Sequence, residues 1–206
     1  MMAPVIILAN GDFPTHPLPL SLLEQAQTII CCDGAAQKLW DFGKEPHYIV
    51  GDMDSLSSEL FERFRDRIIT SSCQETNDLT KAIHFCIGKG YRYVQIVGAT
   101  GGREDHTIAN ISLLADYAQH LQVEMVTDHG TFIPLLSEQE IATRPGMQLS
   151  IFSLDPDISV QATGLKYPID QVHFDSWWKG SLNETTGTVC RFRFTKGRIL
   201  VFIVVS

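Results

Sequence analysis

Long apolar runs are missing from this sequence. The longest, such as Ile199 to Val205, are far too short to span a bilayer. Basic residues are scarce: 16 Lys and Arg stand against 24 Asp and Glu, for a formal net charge of −8. That balance makes a poor surface for nucleic acid, which is held mainly by Lys and Arg on phosphates. Cysteines are few and odd in number: Cys31, Cys32, Cys73, Cys86 and Cys190. Their spacing fits neither a zinc ribbon nor a redox pair. They read as reduced, apolar side chains of a cytoplasmic protein. No basic segment precedes the apolar stretch Met1–Asn10, and Asp12 follows it closely, so the stretch reads as a first strand and not a signal peptide. Internal repeats and low-complexity segments are also lacking.

What is present is an ordinary globular composition. The 206 residues are 44% apolar and 19% charged, enough for one large domain or two small ones. The charge is uneven. Residues 1–130 carry 9 basic and 17 acidic residues, whereas residues 131–206 carry 7 of each. An acidic half can still take a phosphate ligand if a divalent cation bridges the two anions.

Hydrophobic patterning divides the chain in the same way. Strand patterns at Val5–Ala9, Thr28–Cys32, Tyr48–Val50, from Ile68, at Tyr91–Val97 and at Val123–Thr127 alternate with helix patterns. The helices are expected at Pro19–Gln27, Ala35–Phe42, Ser57–Arg67, Asp78–Ile87 and Thr107–Gln119. This repetition predicts an α/β fold, a mostly parallel sheet with helices on both faces. From Met147 on, short strands are expected at Gln148–Leu154, Ser159–Ala162, Thr188–Phe194 and Arg198–Val205. Lys196-Gly197 offers a hairpin turn between the last two. The pattern predicts a second, antiparallel β domain, with the boundary between Val126 and Pro145.

Polar, glycine-bearing motifs follow the strands of the first part. They are Asn10-Gly11-Asp12, Asp33-Gly34, Gly51-Asp52-Met53-Asp54-Ser55, Gln74-Glu75-Thr76-Asn77-Asp78, and Gly98 to His106. In a parallel sheet those strand ends share one edge, where open α/β sheets bind ligands. Asp52 and Asp54 project to one side of an extended segment, and such hard oxygen ligands suit magnesium. Taken singly, Asp78 also reads as a helix N-terminal acid and Asp33 as an N-cap. Gly98–His106, with Gly101, Gly102 and Arg103, precedes a helix and can hold phosphate oxygens. It is not a P-loop, because no Gly-Lys-Ser/Thr follows. Lys81 either pairs with Asp78 one turn away or reaches a phosphate. His106 is the one histidine inside a glycine motif. Trp177 and Trp178 serve either as core or as an aromatic wall for a ring, a cationic one included.

Six segments occur in an informative order: Asp33-Gly34-Ala35, Gly51 to Ser55, Thr76 to Ala82, Gly98 to His106, Gly164 to Pro168 and Gly180 to Glu184. Together, over most of the chain, they resemble the thiamine pyrophosphokinase family. The resemblance implies residues 1–130 as an α/β domain for ATP and magnesium, and residues 131–206 as a β-sandwich that helps bind thiamine. It also implies a homodimer with active sites between subunits. By position, Asp52, Asp54 and Asp78 match metal ligands. Asp33, Gln74, Lys81, Arg103 and Asp105 match the nucleotide and phosphate surroundings, and Ser181, Asn183 and Glu184 the thiamine side. Asp78 and Asp105 are the two candidates to accept the substrate hydroxyl's proton. The sequence departs from the family pattern at three places. Ala35 stands where a second glycine is common, Leu182 where the pattern has serine, and Tyr167 where some members have tryptophan.

Overall fold

The computed structural model describes residues 3–71 and 75–205. Cys73 and Gln74 lie outside them. The chain divides into two compact units. One runs up to Leu113 and includes His120–Asp128; the other comprises Leu114–Gln119 and His129 onward.

The first unit alternates strand and helix in the order β1 (Val5–Leu8), α1 (Pro17–Gln25), β2 (Ile29–Cys32), α2 (Ala35–Asp41), β3 (Tyr48–Gly51), α3 (Ser58–Arg63), β4 (Ile68–Thr70), α4 (Asp78–Gly88), β5 (Tyr93–Val97), α5 (Glu104–Tyr117) and β6 (Gln122–Val126). All six strands are parallel, in the spatial order β6-β5-β1-β2-β3-β4. Successive strand residues point to opposite faces. In β1 and β2 every residue is buried, so both faces are covered. On one face Ile6, Leu8, Ile29, Cys31 and Ile49 pack with Leu23 of α1, Ala36 and Leu39 of α2, and Leu60 of α3. The chain order reverses between β1 and β5, which sets a topological switch point there.

Local chemistry fixes the helix ends. α1 starts two residues earlier than the pattern predicts, with Pro17 in the first turn and the His16 ring accepting from Leu18 N at 3.2 Å. α3 is shorter than expected. Ser57 caps it, and a 3-10 turn, Arg65–Arg67, replaces its last turn. α4 is capped by Asn77, whose Oδ1 accepts from Thr80 N at 2.9 Å. α5 begins at Glu104 instead of Thr107, because Glu104 and Asp105 suit the positive end of the helix dipole.

The second unit holds β7 (Gly130–Leu135), β8 (Gln139–Ala142), β9 (Gln148–Ser153), β10 (Gln161–Thr163), β11 (Gly180–Glu184), β12 (Val189–Arg193) and β13 (Ile199–Val204). Two antiparallel sheets form, β11-β9-β13-β7 and β10-β12-β8. Leu149, Ile151 and Val201 of the first share one core with Ile141, Cys190 and Phe192 of the second, the arrangement of a β-sandwich. The expected hairpin between the last two strands is not made. β12 pairs with β8 and β10, while β13 pairs with β7 and β9. The turn at Gly197 (φ 96°) instead carries the chain from one sheet to the other. Strands β7 and β11 escaped the sequence pattern because Gly130, Pro134, Gly180 and Asn183 dilute their apolar alternation, and β8 because its four residues open on Gln139 and Glu140.

Candidate active site

The carboxyl ends of β1, β2, β3 and β5 and the start of α4 surround a cavity of about 500 Å3. Asp33, Asp52, Asp78, Lys81, Gly102, Arg103 and His106 line it, together with Asn10, Gly11, Ser55, Asn77 and Asn110. The loops after β1 and β5 touch back to back: Gly11 N donates to Gly98 O at 2.8 Å and Asp12 N to Thr100 O at 2.9 Å. Lys38 Nζ braces the first loop from below, donating to Gly11 O at 2.6 Å.

Asp33 is the best-hidden acid of the group, at 2% exposure. It is not an N-cap, for Gly34 holds that position without a side-chain bond. Its backbone sits in the left-handed region (φ 39°), as does that of Met53 (φ 69°) between the two acids of the β3 loop. Such conformations cost about 1 kcal/mol or more and persist where the surroundings impose them. Ser55 N donates to Asp33 Oδ2 at 3.1 Å. Asp33 Oδ1 is fully buried and has no partner. An orphaned buried carboxylate oxygen is costly and calls for a cation or a donor. Asp33, Asp52 and Asp54 each offer an oxygen within 4.8 Å of the other two. Three converging carboxylates, one of them carrying an unpartnered oxygen, fit a magnesium ion, which completes its shell with water and phosphate.

Asp78 lies beside this trio: a Cβ at Gly51 would be 2.9 Å from Asp33 Cβ and 3.4 Å from Asp78 Oδ1. Its oxygen points to lysine, accepting from Lys81 Nζ at 2.8 Å. The acids whose oxygens converge are therefore Asp33, Asp52 and Asp54, with Asp78 beside them and turned to Lys81. Arg103 and Asp105 are exposed and paired, at 2.6 Å. The Arg103 guanidinium holds the Asp105 carboxyl below its usual range. Gly101 (φ 76°) and Gly102 (φ 66°) turn the loop ahead of α5. Sequence reasoning missed Asn110 and Lys38. Asn110 accepts from Asn77 Nδ2 at 3.1 Å and donates to Ala99 O at 2.9 Å. Both residues lie inside helix patterns, and only their long-range contacts mark them.

The thiamine-side candidates sit in the second unit. Asn183 is buried, and its side chain is taken up by Tyr167: Oδ1 accepts from Tyr167 N at 3.2 Å and Nδ2 donates to Tyr167 O at 2.7 Å. Glu184 pairs with Lys166 at 3.1 Å, and Ser181 N donates to Trp178 O at 3.0 Å. Trp178 is 60% exposed and Leu182 86%, the latter at φ 61° where β11 shifts register against β9.

Burial pushes the Asp33 carboxyl up from the usual 3.8 to about 6; the Ser55 amide opposes this, and Asp54 and Asp78 add to it. The folded chain thus binds this proton more tightly than the unfolded chain. The resulting stability is complete below about pH 4 and is lost as pH rises through about 6. In chelator, wild-type thermal stability is expected to fall across that window relative to Asp33→Asn. Added magnesium should raise it more at about pH 8 than at about pH 5. Parallel pH profiles for the two proteins would contradict this account.

Fold and site together define an α/β protein with an acidic cleft at its switch point, followed in the chain by a β-sandwich. The family model "Thiamin pyrophosphokinase, catalytic domain" matches residues 20–127, and "Thiamin pyrophosphokinase, substrate-binding domain" matches residues 130–202. The chain belongs to the thiamin pyrophosphokinase family. It is 26% identical to the thiamine pyrophosphokinase of Bacillus subtilis (strain 168), covering 98% of each chain. It is 27% identical to thiamine pyrophosphokinase 1 of Oryza sativa subsp. japonica, over 89% of this chain and 79% of that one. The crystal structure of the Bacillus subtilis enzyme superposes with a TM-score of 0.83 at 23% identity, covering 99% of this chain and 100% of that one. Among the described residues, no helix is long and apolar enough to cross a membrane.

Proposed function

We propose that this chain transfers a pyrophosphoryl group from ATP to the hydroxyl of thiamine, giving thiamine diphosphate and AMP. The observation that carries the reading is the unpartnered, buried Asp33 oxygen beside Asp52 and Asp54 in a cleft lined by Lys81 and Arg103. Family membership supplies the substrates. Residues 1–130 take the nucleotide and residues 131–206 the thiamine, in a cytoplasmic homodimer.

Asp33, Asp52 and Asp54 would hold the magnesium ion, with Asp78 beside them. When bound, the metal neutralises phosphate charge and orients the polyphosphate for in-line displacement. Lys81 and Arg103 supply positive charge to phosphate oxygens, and the turn at Gly101 and Gly102 leaves backbone room for them. The thiamine hydroxyl oxygen bonds to the β-phosphorus as the bond from that phosphorus to the α,β-bridging oxygen breaks. AMP leaves with that oxygen. The hydroxyl proton passes to a carboxylate. Asp78, which lines the cleft, suits this role better than Asp105, which lies outside that lining and whose oxygens are held by Arg103 and the His106 amide. A loose transition state asks little of that base. On the thiamine side, Trp178 offers an aromatic face to a cationic ring, with Ser181, Asn183 and Glu184 on the adjoining strand.

The test is AMP release from ATP and magnesium with a panel of alcohols. Release with thiamine is expected. Release with another hydroxymethyl heterocycle but not thiamine would move the substrate assignment. Ligand binding without any AMP would make the chain a binding protein.

A further inference from the structure

Lys81 lies in the first turn of α4 with only 7% of its surface exposed. A lysine so placed keeps its charge only beside anions. Its Nζ is 2.8 Å from Asp78 Oδ1 and 3.7 Å from Asp52 Oδ2. Asp52 is also one of the three acids whose oxygens converge with Asp33 and Asp54. One carboxylate therefore faces two cation positions: the ammonium that is there and the metal site next to it.

Two cations that share one counter-ion at this range oppose each other. The opposition is lifted when new negative charge arrives between them. On the ATP reading above, a nucleotide's phosphates would supply it in the cavity that Lys81 lines. The lysine stem has four rotatable carbons, so the ammonium can turn from carboxylate to phosphate without moving the helix.

We propose that Lys81 is a resident counter-cation of the acidic edge, which weakens magnesium binding in the nucleotide-free protein and releases that hold when nucleotide phosphates arrive. Metal and nucleotide then bind cooperatively, and magnesium enters with the nucleotide instead of ahead of it. The proposal rests on the magnesium and ATP reading above.

Calorimetric titration of nucleotide-free protein with magnesium chloride alone tests it. Lys81→Met is expected to tighten the magnesium Kd about tenfold, which is the size of effect that removing one nearby like charge produces. Lys81→Arg, which keeps the charge, should stay within about twofold of wild type. Lys81→Met should also bind a non-hydrolysable ATP analogue about tenfold more weakly in magnesium, from loss of a phosphate partner. A lysine that merely props up α4 would give looser metal binding when removed, never tighter. Lys81→Gln serves the same purpose if the Met variant does not fold, and near-ultraviolet circular dichroism checks each protein. Equal magnesium affinity in wild type and the uncharged variants would overturn the coupling and leave the metal site standing. Absence of magnesium binding in every protein would overturn the metal reading, and the coupling with it.

Discussion

Asp54→Asn is expected to lower kcat roughly 100-fold or more, since altering even the groups that only support a metal's ligands costs 10–100-fold. Asp54 is exposed at the tip of the β3 loop, with Ser55 Oγ donating to its Oδ1 at 2.9 Å. The Ser55 hydroxyl, and then Asp33, hold its carboxyl below the usual range, so it is an anion at working pH. Asparagine keeps the shape and removes that charge, leaving two acids where three converge. Because the side chain is exposed, the unfolding free energy from urea titration should stay within about 0.5 kcal/mol of wild type. The measurement is AMP release at saturating ATP across a magnesium titration. Near-normal turnover by a folded variant would remove Asp54 from the metal site.

The second large effect lies at the close approach of two loops. Gly11→Ala should lower stability by about 3 kcal/mol, the upper part of the range for overpacking. A Cβ there would lie 2.4 Å from Thr100 O and 2.7 Å from Gly98 O. Both obstacles are backbone atoms, so no rotamer change relieves them. The loop after β1 must part from the loop after β5, breaking the Gly11–Gly98 bond and displacing Arg103 from the cleft. Urea unfolding should show the loss, and AMP release at low ATP should fall with it. Gly88→Ala is the control: its Cβ meets nothing within 4 Å at the end of α4, and a small gain of about 0.5–1 kcal/mol is expected from the stiffer unfolded chain. A wild-type midpoint for Gly11→Ala would refute the close approach.

The parallel half of the fold was readable because its signals are local. Each strand is a short apolar run, each helix has an apolar stripe, and polar glycine motifs mark the strand ends. Element ends shifted by two or three residues where a cap or the helix dipole intervened, as at Pro17 and Glu104. The sandwich was harder to read. β11 is Gly-Ser-Leu-Asn-Glu, which has no strand signature, and its pairing with β9 depends on residues some thirty positions away. The hairpin drawn through Lys196-Gly197 failed for a related reason. Turn chemistry at two residues says that the chain reverses, not which sheet receives it.

The candidate site divides along the same line. Sequence alone determined that acids, glycines and one arginine follow successive strands, and parallel-sheet geometry places them on one edge. It also named Asp52, Asp54 and Asp78 as a group. Only the tertiary structure decided how the acids are shared. Asp33 turned inward, since Gly34 took the cap position and the β3 loop brought Ser55 N onto its Oδ2. Asp78 was drawn to Lys81, and Asp52 was left between the lysine and the trio. Residue type and spacing say which groups have charge to offer. Which of them ends beside which is set by loops that meet across 20 to 50 residues of chain, where burial and the nearest counter-charge decide the outcome.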